Sequence, residues 1–285
     1  MIISVFPYIE NQNVERITRN VIDELSKLNC HVYVANEYKN KIGDCQVVFN
    51  DRETLFDICD IAIAIGGDGT TLRVAKRAAF YDKCVLGING GRLGFMSGLE
   101  ANELSLLRNV VNGKYVVDER MMLRADVMRK GCPTETFHCL NDAVVTRGDY
   151  ARLIDVTIHC DERPVWDMRA DGVIVSTPTG STAYSMAAGG PVISPDADCF
   201  LVTSICPHSL IDRSIVFPTN KELYVNVKND VNNNSIFTAD GKLPVQIDQD
   251  TVVKISKSEY TARLIKVKPE NFYEILKKKI IERRS

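Results

Sequence analysis

The sequence predicts an α/β N-terminal domain with a parallel sheet, then a β-rich, sandwich-like C-terminal domain, with a last helix that returns to the first. Three observations carry this. Up to Tyr115, apolar runs alternate with stretches of helical periodicity, the mark of a parallel sheet with helices on its faces. Beyond Tyr115, short β-rich runs separated by turns take over, as in a sandwich. Helical spacing comes back only at the end of the chain. The 285 residues fit two domains at roughly 150 residues each. The expected limits are 1–117, 118–267 and 268–285.

In order, 2–6 reads as a strand and 13–28 as a helix, because Val14, Ile17, Val21, Ile22, Leu25 and Leu28 recur at helical spacing. A strand at 31–35 and a short helical piece at 54–59 follow. The run 61–65 is apolar throughout, as in a strand buried on both faces. Then come a helix at 72–79, a strand at 85–88 and a helix at 103–111. In the second part, strands are expected at 122–128, 136–140, 143–146, 153–160 and 173–176. They continue at 215–217, 223–227, 235–239, 244–247 and 251–255, interrupted by one Gly-rich stretch at 180–190. The segment 272–281 closes the chain as a helix.

Composition excludes several classes. Hydrophobic residues at 45% and charged residues at 25% exclude a disordered or collagen-like chain. A net charge of −2 lacks the basic excess of a nucleic-acid binder. The one locally basic stretch, Lys277-Lys278-Lys279-Ile280-Ile281-Glu282-Arg283-Arg284, reads as the solvated end of the last helix, where cations suit the dipole. No segment reaches the roughly 18 to 20 apolar residues of a membrane span, and the first residues read as a strand, so a cytoplasmic protein is expected. Nine cysteines without CxxC spacing, and four histidines that do not converge with them, give no zinc pattern. Free thiols point to a reducing compartment.

The first chemical signal is Gly66-Gly67-Asp68-Gly69-Thr70-Thr71, between the buried strand and a helix. Ligands bind at such strand ends in open α/β sheets. Glycines let backbone N–H groups approach an anion, and the helix N-terminus favours negative charge. The stretch is neither GxGxxG nor a P-loop. Asp68 is the odd residue, since a carboxylate in a phosphate-cradling loop repels phosphate. It can accept the proton of an attacking hydroxyl, or hold a metal that accompanies the phosphates; as a bare turn, Gly-Asp-Gly would do neither. Arg73, about a turn beyond, could reach the same anion or be a solvated surface residue.

A second glycine cluster, Gly87-Ile88-Asn89-Gly90-Gly91-Arg92-Leu93-Gly94, follows the next strand. Asn141-Asp142 can bind an adenine edge and a ribose diol, or simply turn the chain. The richest stretch runs from Arg169-Ala-Asp171 to Thr177-Pro-Thr-Gly-Ser-Thr-Ala-Tyr184 and Gly189-Gly190-Pro191. Its hydroxyls can cap the following helix, the Tyr184 ring can stack on a base, and Gly189-Gly190-Pro191 would stop that helix. Arg169 and Asp171, two apart, would share a face in a strand. Ser181 lacks the GxSxG setting of a nucleophile.

The glycine–Asp loop, Asn141-Asp142, and Asp171-Gly172 leading into Thr-Pro-Thr-Gly-Ser-Thr-Ala-Tyr184, in this order, resemble the NAD kinase family over nearly the whole chain. Cys206-Pro207-His208-Ser209-Leu210 also resembles a stretch of that family. The glycine loop alone is shared with lipid kinases. The resemblance implies transfer of a phosphoryl group from ATP to the 2′-hydroxyl of the adenosine ribose of NAD. Asp68 would be the proton acceptor, and Gly66, Gly67 and Gly69 would shape the phosphate loop. Asn141 and Asp142 would hold adenosine and ribose groups. Tyr184, Thr182, Ala183, Ser185 and Ala187 would line the adenine pocket. Arg169 and Asp171 would reach NAD, while Arg152 and Lys242 fall at further nucleotide contacts. Lys242 departs from the glutamine common after Asp-Gly, and Asp142 from the glutamate common after Asn. Mg²⁺ or another divalent cation would arrive with ATP, with no tightly bound organic cofactor. A homotetramer or homodimer is implied.

Two other readings use the same residues. A lipid kinase would need a membrane-facing apolar patch or a basic amphipathic helix, and gives the Thr-Gly-Ser-Thr-Ala-Tyr segment no purpose. An NAD-binding sensor without activity leaves Asp68 with no purpose.

Overall fold

The computed structural model describes all residues except 11, 92–93, 149–151, 210–211, 229–234, 243, 270–271 and 283–285, and no side chains at 280–282. Arg92, Leu93, Leu210, Arg283 and Arg284, named above, lie outside the described residues.

In chain order the first elements are β1 (Ile2–Pro7), α1 (Gln12–Lys27), β2 (His31–Ala35), α2 (Lys39–Ile42), β3 (Val48–Asn50), α3 (Arg52–Ile58) and β4 (Ile61–Gly66). They continue with α4 (Asp68–Ala79), β5 (Cys84–Asn89), β6 (Leu99–Glu100), α5 (Leu107–Val111), β7 (Val116–Arg129), β8 (Glu135–Cys139) and β9 (Asp142–Arg147). Next are β10 (Ile154–Cys160), β11 (Arg163–Ala170), β12 (Gly172–Ser176), α6 (Tyr184–Ala187), β13 (Cys199–Ile205) and β14 (Ile215–Pro218). The last are β15 (Leu223–Lys228), β16 (Ser235–Ala239), β17 (Val245–Ile247), β18 (Thr251–Lys266) and α7 (Phe272–Glu282).

The chain divides into two units, Met1–Glu119 with Thr261–Ser285, and Arg120–Tyr260. These limits differ from 117 and 267 because β7 and β18 are long strands that each begin in one unit and end in the other.

In the first unit β5, β4, β1, β2 and β3 lie side by side and parallel. The end of β18 joins them, with Arg263 and Leu264 beside Cys84 and Val85. Every residue of β4 is buried. Ile61, Ile63 and Ile65 enter one core with Val14, Ile17, Val21 and Leu25 of α1. Ala62 and Ala64 point the opposite way, as period-two alternation requires. There Gly87, the register partner of Ala64, lets Thr71 of α4 lie against the sheet. Helix α7 belongs to this unit, so the last helix returns to the first domain as expected.

The second unit is a sandwich. One sheet runs β14-β13-β12-β9-β16-β17, antiparallel throughout. The other layer holds β11-β10-β15 and the first part of β18, also antiparallel. Val145, Val173, Val175, Phe200 and Phe237 from the first layer share one core with Val156, Ile158, Val225 and Val253 from the second, the packing that two half-buried sheets demand.

Three local expectations change. The segment 103–111 splits into a 3-10 turn, Leu104–Leu106, and the short α5. The helix expected after Ser181 is a 3-10 turn, Gly180–Thr182, and the four-residue α6, because Ala183 (φ −103, ψ −121) leaves helical geometry between them. Neither short helix has a side-chain cap. Strands β3, β6, β11 and β13 and the short helix α2 fall where the sequence pattern predicts no element. No helix among the described residues is long and apolar enough to cross a membrane.

Candidate active site

In the first unit the candidate residues gather at the loop between β4 and α4. Gly67 caps α4 in extended geometry, and its carbonyl accepts from Thr70 and Thr71. Asp68 is therefore the first helical residue, at the end that favours negative charge. Its Oδ2 accepts from the backbone nitrogen of Phe95 at 3.0 Å and its Oδ1 from that of Met96 at 3.1 Å. The second glycine cluster makes this possible: a Cβ on Gly94 would collide with Asp68 Oδ1. The Lys279 ammonium of α7 stands 3.4 Å from Oδ2. An ionised carboxylate has about four acceptor positions. The three donors leave room for a hydroxyl.

A Cβ on Gly67 or Gly69 would meet nothing within 4 Å. Packing within the unit gives no reason for glycine there, whereas an anion resting on the backbone would. Arg73 is exposed, and its guanidinium lies 4.6 Å from the Tyr8 ring centroid, a cation–π contact. Both it and Asp68 are on α4, but no contact joins Arg73 to the Asp68 cluster among those described.

In the second unit, taken by itself, the candidate residues gather at the loops around β9 and β12. Asn141 is the bend before β9, and Asp142, its first residue, is 5% exposed. Both are fixed through the main chain. Asp240 accepts from the backbone nitrogens of Leu140, Asn141 and Asp142 at 3.1, 2.8 and 3.1 Å. On the other side Thr177 N donates to Asn141 O, and Thr177 Oγ1 donates to Leu140 O at 2.6 Å. Gly180 lies so close that a Cβ would collide with Asn141 O.

The hydroxyls of the Thr-Pro-Thr-Gly-Ser-Thr loop mostly hold the loop itself. Thr177 Oγ1 accepts from Gly180 N at 3.0 Å, Ser181 Oγ donates to Pro178 O at 2.6 Å, and Thr182 Oγ1 donates to Thr179 O at 3.1 Å. The buried Arg120 donates to Thr179 Oγ1 at 3.2 Å. Ser185 is fully buried and bonds Thr203 at 3.0 Å, while Ala187 is exposed and Ala183 half-buried. Tyr184 stands out at 45% exposure. Burial of the rest of its ring pushes the phenol pKa up, and the charges of Cys206, Asp142 and Asp171 push the same way. In the β9–β12 pair Asp142 stands opposite Ser176, while Asp171 lies at the other end, next to Gly172 opposite Thr146.

Arg169 and Asp171 do not share a strand face. Asp171 falls in the bend between β11 and β12 and pairs with Arg147 Nε at 2.7 Å, whereas Arg169, at the end of β11, lies 3.8 Å from Asp155. Backbone bonds still hold this corner together, from His208 N to Arg169 O and from Asp171 N to Ile205 O. Arg152 is exposed. Lys242 follows a tight turn made by Asp240 (φ 50) and Gly241 (φ 64), and its nitrogen donates to Ala239 O.

Sequence reasoning missed Asp240, Arg147 and Lys279. Asp240-Gly241 carried a turn signal. Arg147 had no local signal, because its partner Asp171 is brought to it by the pairing of β9 with β12. The basic run 277–279 reads as solvated in sequence, yet Lys279 shares the face of α7 that Phe272 and Ile275 turn inward, the spacing that aligns residues on a helix.

An α/β unit with a carboxylate fixed at a glycine loop, followed by a β sandwich, defines a phosphotransferase-type protein of two units. The ATP-NAD kinase N-terminal domain matches residues 5–115, and the ATP-NAD kinase C-terminal domain matches residues 140–267. An NAD kinase of Symbiobacterium thermophilum is 44% identical over 222 residues, 78% of each chain. Another, of Caldanaerobacter subterraneus subsp. tengcongensis, is 36% identical over 282 residues, 99% of each chain. An NAD kinase from Archaeoglobus fulgidus, solved in complex with ATP, superposes with TM-score 0.75 at 27% identity, covering 98% of each chain. Yeast NADH kinase, solved with NADH, shares the fold, with TM-score 0.87 at 23% identity over 96% of this chain and 85% of that one. The chain belongs to the ATP-NAD kinase family, whose members are ATP-dependent NAD kinases.

Proposed function

We propose that the protein transfers the γ-phosphoryl group of Mg-ATP to the 2′-hydroxyl of the adenosine ribose of NAD. The ribose oxygen attacks phosphorus, the bond from phosphorus to the β,γ-bridging oxygen breaks, and the hydroxyl proton passes to Asp68. The products are NADP and ADP. The divalent cation enters as part of the donor substrate.

The observation that carries this reading is the setting of Asp68. It is the first residue of α4, anchored by the backbone nitrogens of Phe95 and Met96. That leaves a fixed carboxylate with spare acceptor capacity beside a helix N-terminus. Phosphoryl transfer asks mainly for positioning and charge stabilisation, and a placed base adds to both. Gly66, Gly67 and Gly69 hold the donor phosphates through their backbone. On the acceptor side, Asn141 and Asp142 hold adenosine and ribose groups, and Tyr184 stacks beside the adenine with Thr182, Ala183, Ser185 and Ala187 around it. Arg169, Asp171, Arg152 and Lys242 contact the dinucleotide. The working form is a cytoplasmic homo-oligomer, dimer or tetramer, which light scattering of the purified protein tests.

The decisive assay incubates the purified chain with Mg-ATP and NAD and measures NADP with an NADP-specific dehydrogenase, alongside ADP. Equal amounts of NADP and ADP are expected. ADP without NADP, or neither from folded protein, overturns the proposal.

A further inference from the structure

We propose that Lys279 is a phosphate-binding residue for the donor nucleotide, exchanging its contact with Asp68 for the terminal phosphate when that nucleotide arrives. The inference rests on the reading of the glycine loop as the donor site, and supplies a side-chain cation beside it.

The placement follows from α7. Phe272, Ile275 and Lys279 are spaced by three and four residues, so they lie on one helical face. Phe272 packs on Phe95 with ring centroids 6.0 Å apart, and Ile275 is 7% exposed. Those two apolar contacts fix the rotation of the helix and aim Lys279 at the same loop. Its ammonium lies 4.1 Å from the Phe95 ring centroid and 3.4 Å from Asp68 Oδ2, with the side chain 20% exposed. The loop that anchors Asp68 through two backbone nitrogens is therefore the loop on which α7 and Lys279 rest.

The chemistry of the cluster is unbalanced without Lys279. A carboxylate at the N-terminus of α4 repels a triphosphate that docks there, and a positive charge between them offsets the repulsion. The contact to Asp68 is also the exchangeable one. The two backbone donors are shorter and fixed, at 3.0 and 3.1 Å, whereas an ammonium on a four-carbon stem carries three donors and can turn between acceptors. A phosphoryl group presents more negative charge than a carboxylate. Moving Lys279 to it frees Oδ2 to receive the ribose hydroxyl proton in the same event. Arg73 does not fill this role in the structure, since its guanidinium rests on Tyr8.

The test uses the full chain with Lys279→Met, Lys279→Arg and, as a control on an exposed part of the same helix, Lys277→Met. Steady-state rates are measured with ATP and NAD varied separately. Losing one charge-assisted hydrogen bond predicts that Lys279→Met raises KM for ATP about 10- to 100-fold and lowers kcat. KM for NAD and the melting temperature stay at wild-type values, Lys279→Arg restores most of the ATP affinity, and Lys277→Met behaves as wild type. A helix that merely props the fold would change both KM values together with Tm, and a latch that only blocks Asp68 would give a faster Lys279→Met. Either result overturns the proposal, as do unchanged kinetics. Should Lys279→Met not fold, the unaltered protein decides: acetylation of Lys279 by an active ester, read by mass spectrometry, is slowed by Mg-ATP and not by NAD alone. Equal acetylation with and without Mg-ATP overturns the inference. Absence of NADP from the wild type, with Lys279 still protected by Mg-ATP, would instead overturn only the acceptor reading.

Discussion

Asp240 Oδ1 accepts the backbone hydrogen bond of Asn141 at 2.8 Å, and the same carboxylate also takes those of Leu140 and Asp142. The bend that offers Asn141 and Asp142 is thus built by a side chain a hundred positions away in sequence. Asp240 has φ 50, a conformation asparagine adopts readily, so Asp240→Asn keeps the turn and loses the charge. Asp240→Ala loses all three acceptor bonds. Hydrogen bonds to a charged group contribute about 1.5–3 kcal/mol each and are not additive, so Asp240→Ala is expected to lower unfolding stability in urea by about 3 kcal/mol, with Asp240→Asn between it and wild type. KM for NAD should rise in both, with KM for ATP little changed. Parallel rises in the two KM values would detach the 140–142 bend from NAD.

Two glycines should respond to alanine in opposite ways. A Cβ on Gly69 meets nothing within 4 Å, and the residue is helical. Gly69→Ala should leave the fold intact or stabilise it by about 0.5–1 kcal/mol, while cutting activity where the donor phosphates lie on that backbone. A Cβ on Gly180 collides with the Asn141 carbonyl. Gly180→Ala should destabilise by about 1–3 kcal/mol through overpacking and raise KM for NAD. Thermal unfolding and separate KM measurements check both. A fully active Gly69→Ala enzyme would mean that no phosphate rests there.

Asp68→Asn separates binding from chemistry. The amide keeps the shape but is a far weaker base, and one of its atoms turns a donor toward backbone nitrogens that now point at Asp68. Turnover should fall about 10²- to 10⁴-fold, the usual contribution of a general base. Calorimetry should show NAD affinity retained, and full turnover would remove Asp68 from its proposed role.

How far the sequence alone carried these features depends on what kind of signal each left. Strand β4 announced itself, because Ile61-Ala-Ile-Ala-Ile65 is buried on both faces and is apolar throughout. Asp68 stands out in the sequence as a carboxylate between glycines at a strand end, whereas its grip on the backbone nitrogens of Phe95 and Met96 leaves no local signal, because those residues are 27 and 28 positions away. Strand β11 was not seen, although Trp166, Met168 and Ala170 alternate with exposed Val165, Asp167 and Arg169; Pro164 hid it, as proline does in an edge strand, and β11 is an edge. The pairing of Arg147 with Asp171 left no trace in local pattern, since sheet registry brings them together. Lys279 was hidden by its neighbours. In a run of three lysines only the face set by Phe272 and Ile275 distinguishes it, and that face is defined by a loop far away in sequence.

Thiol titration gives a test of the fold independent of any substrate. Burial pushes the thiol pKa of Cys59 up, and that of Cys84 likewise. The free thiol unfolded has a pKa of about 8.5. A value raised in the folded state means that the native protein holds the proton more tightly. The stabilisation is complete below the unfolded value and is lost as pH rises through the folded one. Urea midpoints should therefore fall as pH is taken from about 8 to about 10, and fall less steeply in Cys59→Ala. In the native protein iodoacetamide should modify the exposed Cys132 and Cys206 while leaving Cys59, 1% exposed, untouched until unfolding. Intact-mass spectrometry counts the adducts, and peptide mapping assigns them. Labelling of Cys59 at the rate of Cys132 under native conditions would contradict the packing of α3 and β4 on which the Asp68 loop is built.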